Sequence, residues 1–240
     1  MKRSFLSALL LAGAFSSLAL ADMNPSPYES APRSSKLFSG EVFSGYFSGV
    51  GIHVSGTVAN LAEGFPFEVR LGLGYAWVPT GDAVAARRVF IDQNTNGSPR
   101  GNGKVWDARL DIMYPIKLFT LRNSRIFAGA RHANYTAHFE YIGGNETFDV
   151  NNNPWVVGGG LETSFAVSPR VAMVVTGGVD YYFRTLMSGH DTYSRPNGDD
   201  LHEKEDFTYK DADAAIAQPN LNTRLMLGVS YKFSCNFGAS

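Results

Sequence analysis

Ten charged residues stand at alternate positions within apolar segments of the chain. Glu68 and Arg70 are two residues apart, for example, in a run that continues Leu71, Leu73 and Tyr75. Because successive side chains of a β-strand face opposite sides, this spacing places charged residues on one face and apolar residues on the other. Acidic and basic members are equal in number, which predicts ion pairs inside an enclosed space. The ten residues are Glu68, Arg70, Asp107, Arg109, Asp111, Arg131, Glu162, Asp180, Arg224 and Lys232.

Residues that could support catalysis or metal binding are few and isolated. His53, His132 and His138 lie within strand-like segments and are the candidate general bases, but no Gly-x-Ser-x-Gly or His-Glu-x-x-His motif accompanies them. Cys235 is the single cysteine, so it has no partner for an internal disulfide or a cysteine metal site. We therefore predict no catalytic residues, no cofactor and no metal.

Residues 92–97, Asp-Gln-Asn-Thr-Asn-Gly, match the first half of an EF-hand calcium loop. The twelfth position of such a loop should be a bidentate glutamate, but here it is Gly103. Without that carboxylate, the segment is interpreted as a turn-rich loop tip rather than a calcium site.

Eight segments have the two-residue periodicity of half-buried strands. The segment 125–142 changes phase, because Ile126, Ala128 and Ala130 have one parity and the later apolar residues have the other, which predicts a bulge near Arg131 and His132. The eight segments are 37–46, 50–58, 67–77, 106–116, 125–142, 155–167, 171–183 and 221–233.

The two ends of the chain have a different composition. Residues 1–21 combine Lys2 and Arg3 with an apolar run that ends in Ala19-Leu20-Ala21, the pattern of a signal peptide cleaved after Ala21. Residues 22–35 are interpreted as a flexible leader, residues 36–233 as the folded domain and residues 234–240 as a C-terminal tail. The net charge of −1 and the lack of basic runs argue against a nucleic-acid partner.

A soluble β-sandwich and a membrane barrel both contain alternating strands. The barrel is favoured because the polar face is rich in glycine and serine, and because aromatic residues, 13% of the chain, concentrate at strand ends. Short and long connections also alternate, as do periplasmic turns and extracellular loops. We therefore predict an all-β fold, an eight-stranded antiparallel up-and-down transmembrane β-barrel with both termini in the periplasm.

The signal peptide, the eight strands, the alternation of loop lengths and the final strand ending Val229-Ser230-Tyr231-Lys232-Phe233 resemble the small outer-membrane barrels of the OmpA/OmpX type. The resemblance covers residues 37–233 and rests on this pattern of strands and loops. It implies location in a bacterial outer membrane, contact with outer-membrane lipid and recognition by the barrel-insertion machinery. One departure is that residues 234–240 follow Phe233, so the sequence does not end on the aromatic residue that the resemblance implies as the insertion signal.

In an eight-stranded barrel, the interior is only wide enough for side chains, so the charges are expected to close the lumen rather than line a pore. A hairpin of 67–77 with 106–116 would let Arg70 reach Asp111 or Asp107, and Arg109 reach Glu68. On the same face, Gly72 should tolerate serine if the lumen has room.

The two long loops differ in charge, since 186–219 holds eight acidic and three basic residues whereas 79–104 holds four basic and two acidic residues. They are interpreted either as solvated segments or as segments that dock on each other or bind an extracellular ligand, through 79–104 and 185–220. Two functions follow from the sequence: a structural or interaction barrel that displays its loops, and, as the alternative, a barrel enzyme that modifies outer-membrane lipid.

Overall fold

A computed structural model describes residues 36–91, 97–119, 121–144, 146–198, 208–217 and 220–233 of the 240-residue chain. The predicted signal peptide and leader (residues 1–35), the residues 92–96 that resemble a calcium loop and the predicted tail 234–240 with Cys235 lie outside the described residues. Within the described part no helix is long and apolar enough to cross a membrane.

Strands make up most of the described chain, and two short helices interrupt them. The strands are β1 (Leu37–Phe47), β2 (Val50–Ala59), β3 (Glu68–Val78), β4 (Ser98–Leu118), β5 (Leu121–Ile142), β6 (Thr147–Asn152), β7 (Trp155–Ala166), β8 (Val171–Tyr182), β9 (Met187–Ser188), β10 (Tyr193–Ser194) and β11 (Leu221–Phe233). The helices are α1 (Ala83–Phe90) and α2 (Tyr209–Ile216).

Eight of the strands form a closed antiparallel ring in the order β1-β2-β3-β4-β5-β7-β8-β11. The β5–β7 pairing and the β1–β11 pairing close it, the latter with Phe38 opposite Phe233. This confirms the predicted eight-stranded barrel. We call the end where β1 begins and β11 finishes the terminal end, and the opposite end, which carries both helices, the loop end.

The outer surface of the ring is an apolar band between two belts of aromatic residues. Leu71 and Leu110 are opposite each other near the middle of the band and are 64% and 49% exposed. Exposed apolar side chains in such numbers need a hydrocarbon environment rather than water. The aromatic residues are Tyr75, Trp77, Trp106, Trp155 and Tyr181 toward the loop end, and Phe65, Phe67, Tyr114, Phe165, Tyr231 and Phe233 toward the terminal end.

The β4–β5 hairpin is much longer than the rest of the ring, with strands of 21 and 22 residues. Its distal part leaves the ring, and β5 there pairs with β6 instead of β7, while β9 and β10 extend the sheet. We call this part, the distal β4–β5 hairpin with β6, β9 and β10, the loop-end sheet. It contradicts the expectation that residues 79–104 and 185–220 are loops throughout.

The bulge predicted near Arg131 and His132 is wrong. The β4–β5 register runs without interruption from Ser98–Ile142 to Ile116–Ser124, and its irregularity lies between Ile116 and Leu118. The apolar residues change face because the environment changes: Ala133, Tyr135, Ala137, Phe139 and Tyr141 are buried on the inward face of the loop-end sheet. The apolar residues therefore change from one face of β5 to the other because the surroundings of each face change along the strand, and not because the strand is broken.

Helices α1 and α2 cover this inward apolar face. Asp82 is the N-cap of helix α1, and its carboxylate accepts hydrogen bonds from the backbone N–H groups of Val84 and Ala85. It buries Ala86, Val89 and Phe90. The two helices also pack on each other. Gly81, just before α1, approaches α2 so closely that a Cβ on Gly81 would lie 1.9 Å from the carbonyl oxygen of Ala215. The two long loops therefore contact each other, and small residues lie at the contact between their helices.

Candidate functional site

The lumen near the terminal end contains a group of buried ion pairs around two arginines. Arg70 Nη2 is 2.9 Å from an Asp111 carboxylate oxygen, and Arg70 Nη1 is 2.5 Å from a Glu162 oxygen. Arg125 contacts carboxylates of Glu68 and Glu162, each at 3.2 Å. We call these residues, with Glu41, the acidic cluster, since it holds four carboxylates and two guanidinium groups.

Glu41 of β1 completes the acidic cluster from the opposite side. Its carboxylate lies 3.8 Å from both Arg70 and Arg125 and accepts hydrogen bonds from the hydroxyls of Ser55 and Thr57 at 2.9 and 3.2 Å. Each arginine is therefore shared among three acidic side chains from different strands. Removing one member of such a buried, paired set is destabilising, because the remaining charges lose their compensation.

A second group of charges lies nearer the loop end. Arg131 donates a hydrogen bond to Asp180, and Arg224 lies 3.9 Å from the same carboxylate. Arg109 lies 3.5 Å from Asp107, two residues before it on β4. We call these five residues the basic cluster, because three guanidinium groups share two carboxylates.

Phe127 lies between the two clusters. The guanidinium carbon of Arg70 is 5.1 Å from the centre of the Phe127 ring, and that of Arg224 is 4.9 Å from it. Because an aromatic face attracts cations, one ring can hold an arginine from each cluster. Phe127 is buried on the lumen face of β5.

The ten predicted charges differ in their surroundings. Eight are buried inside the ring and Glu68 is half-buried near the terminal end, whereas Lys232 is half-buried near the end of β11, outside both clusters. The expected pairing of Arg109 with Glu68 is wrong: Glu68 pairs with Arg125, and Arg109 with Asp107. Glu68 is instead directly opposite Met113, while Arg70 is opposite Asp111.

The predicted set of lumen charges lacks Glu41 and Arg125, which the structure places in the acidic cluster. For Glu41 the signal was present, since it alternates with Val42 in a segment that was only weakly periodic. For Arg125 the signal was also present, since its parity is opposite to that of the apolar residues Ile126, Ala128 and Ala130. The register of β5 brings Arg125 and Arg131 to the lumen face.

Glycines on the lumen wall make room for these side chains. A Cβ on Gly74 would lie 2.5 Å from Asp107, and one on Gly158 would lie 2.0 Å from Asp180. A Cβ on Gly72 would lie 2.5 Å from His53 Nε2. The room on which the predicted tolerance of Gly72 to serine depends is therefore occupied by the His53 ring, which would have to shift.

The three histidines considered as bases lie in three different environments. His53 is buried in the lumen beside Phe43. His132 contacts Trp155 on the outer surface, and His138 pairs with Asp149 on the loop-end sheet at 2.6 Å. The structure therefore does not bring them into one site, and among the described residues no group of three or more His, Cys, Asp or Glu side chains could hold a metal ion.

Two tyrosines of the loop-end sheet fix the helices above the barrel mouth. Tyr135 donates a hydrogen bond to the carbonyl of Ile216 at 3.1 Å, and Tyr141 donates one to the carbonyl of Ala83 at 2.6 Å. Below the helices lies a cavity of about 170 Å³, lined in part by Tyr135, Tyr182 and Ser48. Helices α1 and α2 thus lie above the barrel mouth, with a small cavity beneath them.

Helix α2 is anchored at both of its faces. At its start, Asp211 accepts hydrogen bonds from the Thr208 hydroxyl and backbone N–H, which lower the pKa of Asp211. Tyr209 donates to the carbonyl of Thr185, and burial raises the pKa of Tyr209 to about 12. Arg184 lies over the Tyr209 ring and 4.0 Å from Asp213.

The ring, its apolar band and its aromatic belts define a closed eight-stranded β-barrel of the outer-membrane type. A solved structure of a major outer membrane protein from Thermus thermophilus is similar over 83% of this chain and 100% of that chain, with a TM-score of 0.67 and 23% sequence identity. At that identity the similarity establishes the fold alone.

Two further solved barrels have lower similarity. Ail, the attachment invasion locus protein of Yersinia pestis, is 14% identical with a TM-score of 0.42, over 82% of this chain and 97% of that chain. CarO2 of Acinetobacter baumannii is 13% identical with a TM-score of 0.41, over 82% and 98%. These TM-scores are too low to support an inference. No protein-family model matches the chain, and no curated protein matches it.

Proposed function

We propose that this chain is an exported bacterial outer-membrane protein whose barrel is a closed anchor and whose loop-end sheet is an interaction surface at the cell exterior. Under this proposal, residues 1–21 direct export and are removed after Ala21, residues 22–35 form a leader and residues 234–240 a tail. The barrel-insertion machinery and outer-membrane lipid are the partners that the apolar band requires. The proposal assigns no catalytic role to the chain.

The observation that carries the proposal is the outward face of the loop-end sheet. We define this outer sheet face by side chains that alternate with the buried apolar ones and are exposed or half-exposed, apart from Thr136, which is buried beside its partner Asn151. Basic and acidic members balance. The face consists of Arg100, Asn102, Lys104, Thr136, His138, Glu140, Thr147, Asp149 and Asn151.

A hydrogen-bonding face of low net charge suits a polymer of hydroxyl groups better than it suits a strongly charged ligand. His138 is hydrogen bonded to Asp149, and Thr136 to Asn151 at 3.0 Å, so these side chains are held in place before a partner arrives. Ordered donors and acceptors bind with a smaller entropic cost. We therefore infer a neutral surface polysaccharide as the partner class.

The binding test uses the full barrel in lipid nanodiscs and polysaccharide extracted from the surface of the producing cells. Replacing Asn102, His138 and Asp149 together by alanine should weaken binding at least about tenfold, a loss of about 1.4 kcal/mol. The control is Arg88→Ala, on the exposed side of α1. Equal binding by the triple variant and the unaltered protein would overturn the polysaccharide proposal. Capture of a surface protein instead would indicate a protein partner.

The closed-anchor part of the proposal predicts that the pure protein shows no large steady conductance in planar bilayers. The physical reason is that buried side chains of both clusters, with Phe127, fill the interior of the ring. Single-channel recording at increasing protein density measures this directly. A stable conductance of porin size from the monomer would contradict a closed anchor.

A further inference from the structure

The cavity below helices α1 and α2 lies across the barrel mouth and has a volume of about 170 Å³. Val78 of β3 and Val105 of β4 line one side of it. Tyr182 of β8 and Asn222 of β11 line the opposite side. None of the described residues that line the cavity is charged. An apolar cavity of about 150 Å³ in another protein binds benzene, so this space has the size of one small ring.

Three side chains of the cavity wall form a short chain of hydrogen bonds. Asn222 Nδ2 donates to Ser48 Oγ at 2.8 Å, and Ser48 Oγ is 2.7 Å from Tyr182 Oη. The two hydroxyl groups have two hydrogens, but the contact between their oxygens uses only one. Whichever hydroxyl donates, the other keeps a hydrogen that has no acceptor among the described residues. Because both residues line the cavity, this remaining O–H group is available to an acceptor inside it.

Tyr135 supplies a hydrogen-bond acceptor from another part of the wall. It donates its hydroxyl hydrogen to the carbonyl of Ile216 at 3.1 Å, with the carbonyl of Pro79 at 3.3 Å. The hydroxyl oxygen of Tyr135 still has lone pairs, and no donor in the described part of the chain reaches it. The cavity therefore offers one donor and one acceptor in otherwise apolar surroundings.

The cavity reaches the outer surface of the barrel beside Tyr46, which lines it and is 48% exposed. The residues opposite Tyr46 on the neighbouring strands are Val50 and Leu225. Both are exposed on the outside of the ring, where the apolar band lies. A molecule that dissolves in lipid therefore has a route to the cavity from the membrane.

We propose that this cavity binds one small uncharged molecule with a single aromatic ring and a hydroxyl group, that is, a phenol. The volume admits one ring, and the rings of Tyr46, Tyr135 and Tyr182 are at hand to pack against it. The hydroxyl oxygen of the ligand supplies the acceptor that the Ser48–Tyr182 pair lacks. Water would also supply an acceptor, but it would leave the apolar walls without dispersion contacts.

The test uses para-bromophenol and bromobenzene, two probes that differ only in the hydroxyl group. Titration calorimetry of the full barrel in lipid nanodiscs, with the signal of empty nanodiscs subtracted, should show saturable binding of para-bromophenol. Its affinity should be at least about fivefold higher than that of bromobenzene. Val105→Phe should abolish binding, because the larger side chain fills the cavity. Leu110→Phe, on the lipid-facing side of the same strand, should retain it.

Crystals of the unaltered protein soaked in para-bromophenol provide a second measurement that does not depend on the folding of any variant. The expected result is an anomalous bromine peak in the cavity, with the phenol oxygen within hydrogen-bond distance of Ser48, Tyr182 or Tyr135. Equal affinities for the two probes, binding no stronger than to empty nanodiscs, or a cavity that contains only water in the soaked crystals would overturn the proposal.

Discussion

Replacing Arg70 by methionine is expected to lower the free energy of unfolding by about 3–5 kcal/mol, because it leaves buried carboxylates without their counter-charge. Three carboxylates lose a partner: Asp111, Glu162 and Glu41. Asp111→Leu should cost less, since Arg70 keeps Glu162 at 2.5 Å. Urea unfolding from lipid bilayers measures both.

The double variant Arg70→Met, Asp111→Leu should cost less than the sum of the two single changes, because interacting sites are not additive. The matched control is the pair Arg109→Met and Glu68→Gln, two lumen charges that have separate partners. Their coupling energy should be near zero. Equal coupling in both cycles would mean that the paired geometry around Arg70 is incorrect.

Leu71→Arg is expected to cost about 2–4 kcal/mol, because it places a charge on the lipid-facing surface near the middle of the bilayer. Leu71 is 64% exposed on the outside of the ring and is opposite Leu110. In a water-soluble barrel the same change would have little effect.

The control for this substitution is Leu61→Arg, in the connection between β2 and β3 at the terminal end. There the change should alter stability by no more than about 0.5 kcal/mol, as is usual for exposed positions. Refolding into bilayers of increasing thickness further distinguishes the stability cost of arginine at position 71 from that at position 61. If both leucines tolerate arginine equally, the apolar band does not face lipid.

The transmembrane strands could be predicted from the sequence because lipid imposes a simple rule on one face of each strand. In 67–77 and 106–116 the outward side chains are uniformly apolar, so parity alone assigns each residue to a face. Glycines such as Gly74 and Gly158 lie on the opposite face, but the sequence could not show which lumen side chain each one accommodates.

The loop end could not be predicted in the same way, because the environment of β5 changes along its length. β5 faces lipid with Ile126 and buries Tyr141 against α1, so its apolar parity changes although its backbone does not. The pairing of Glu68 with Arg125 also depends on which strand neighbours which across the closed ring. Alternation within one strand contains no information on that.

The pairing of β1 with β11 has a consequence for how the protein reaches its final state. The first and last strands of the ring are neighbours, so the ring cannot close before β11 has been synthesised. Until then both strands have unpaired backbone N–H and C=O groups, which hydrocarbon cannot satisfy. Contacts between such distant parts of the chain also form slowly. Closure of the ring therefore has to follow the synthesis of β11, and a chain that lacks β11 would be an open sheet rather than a smaller barrel.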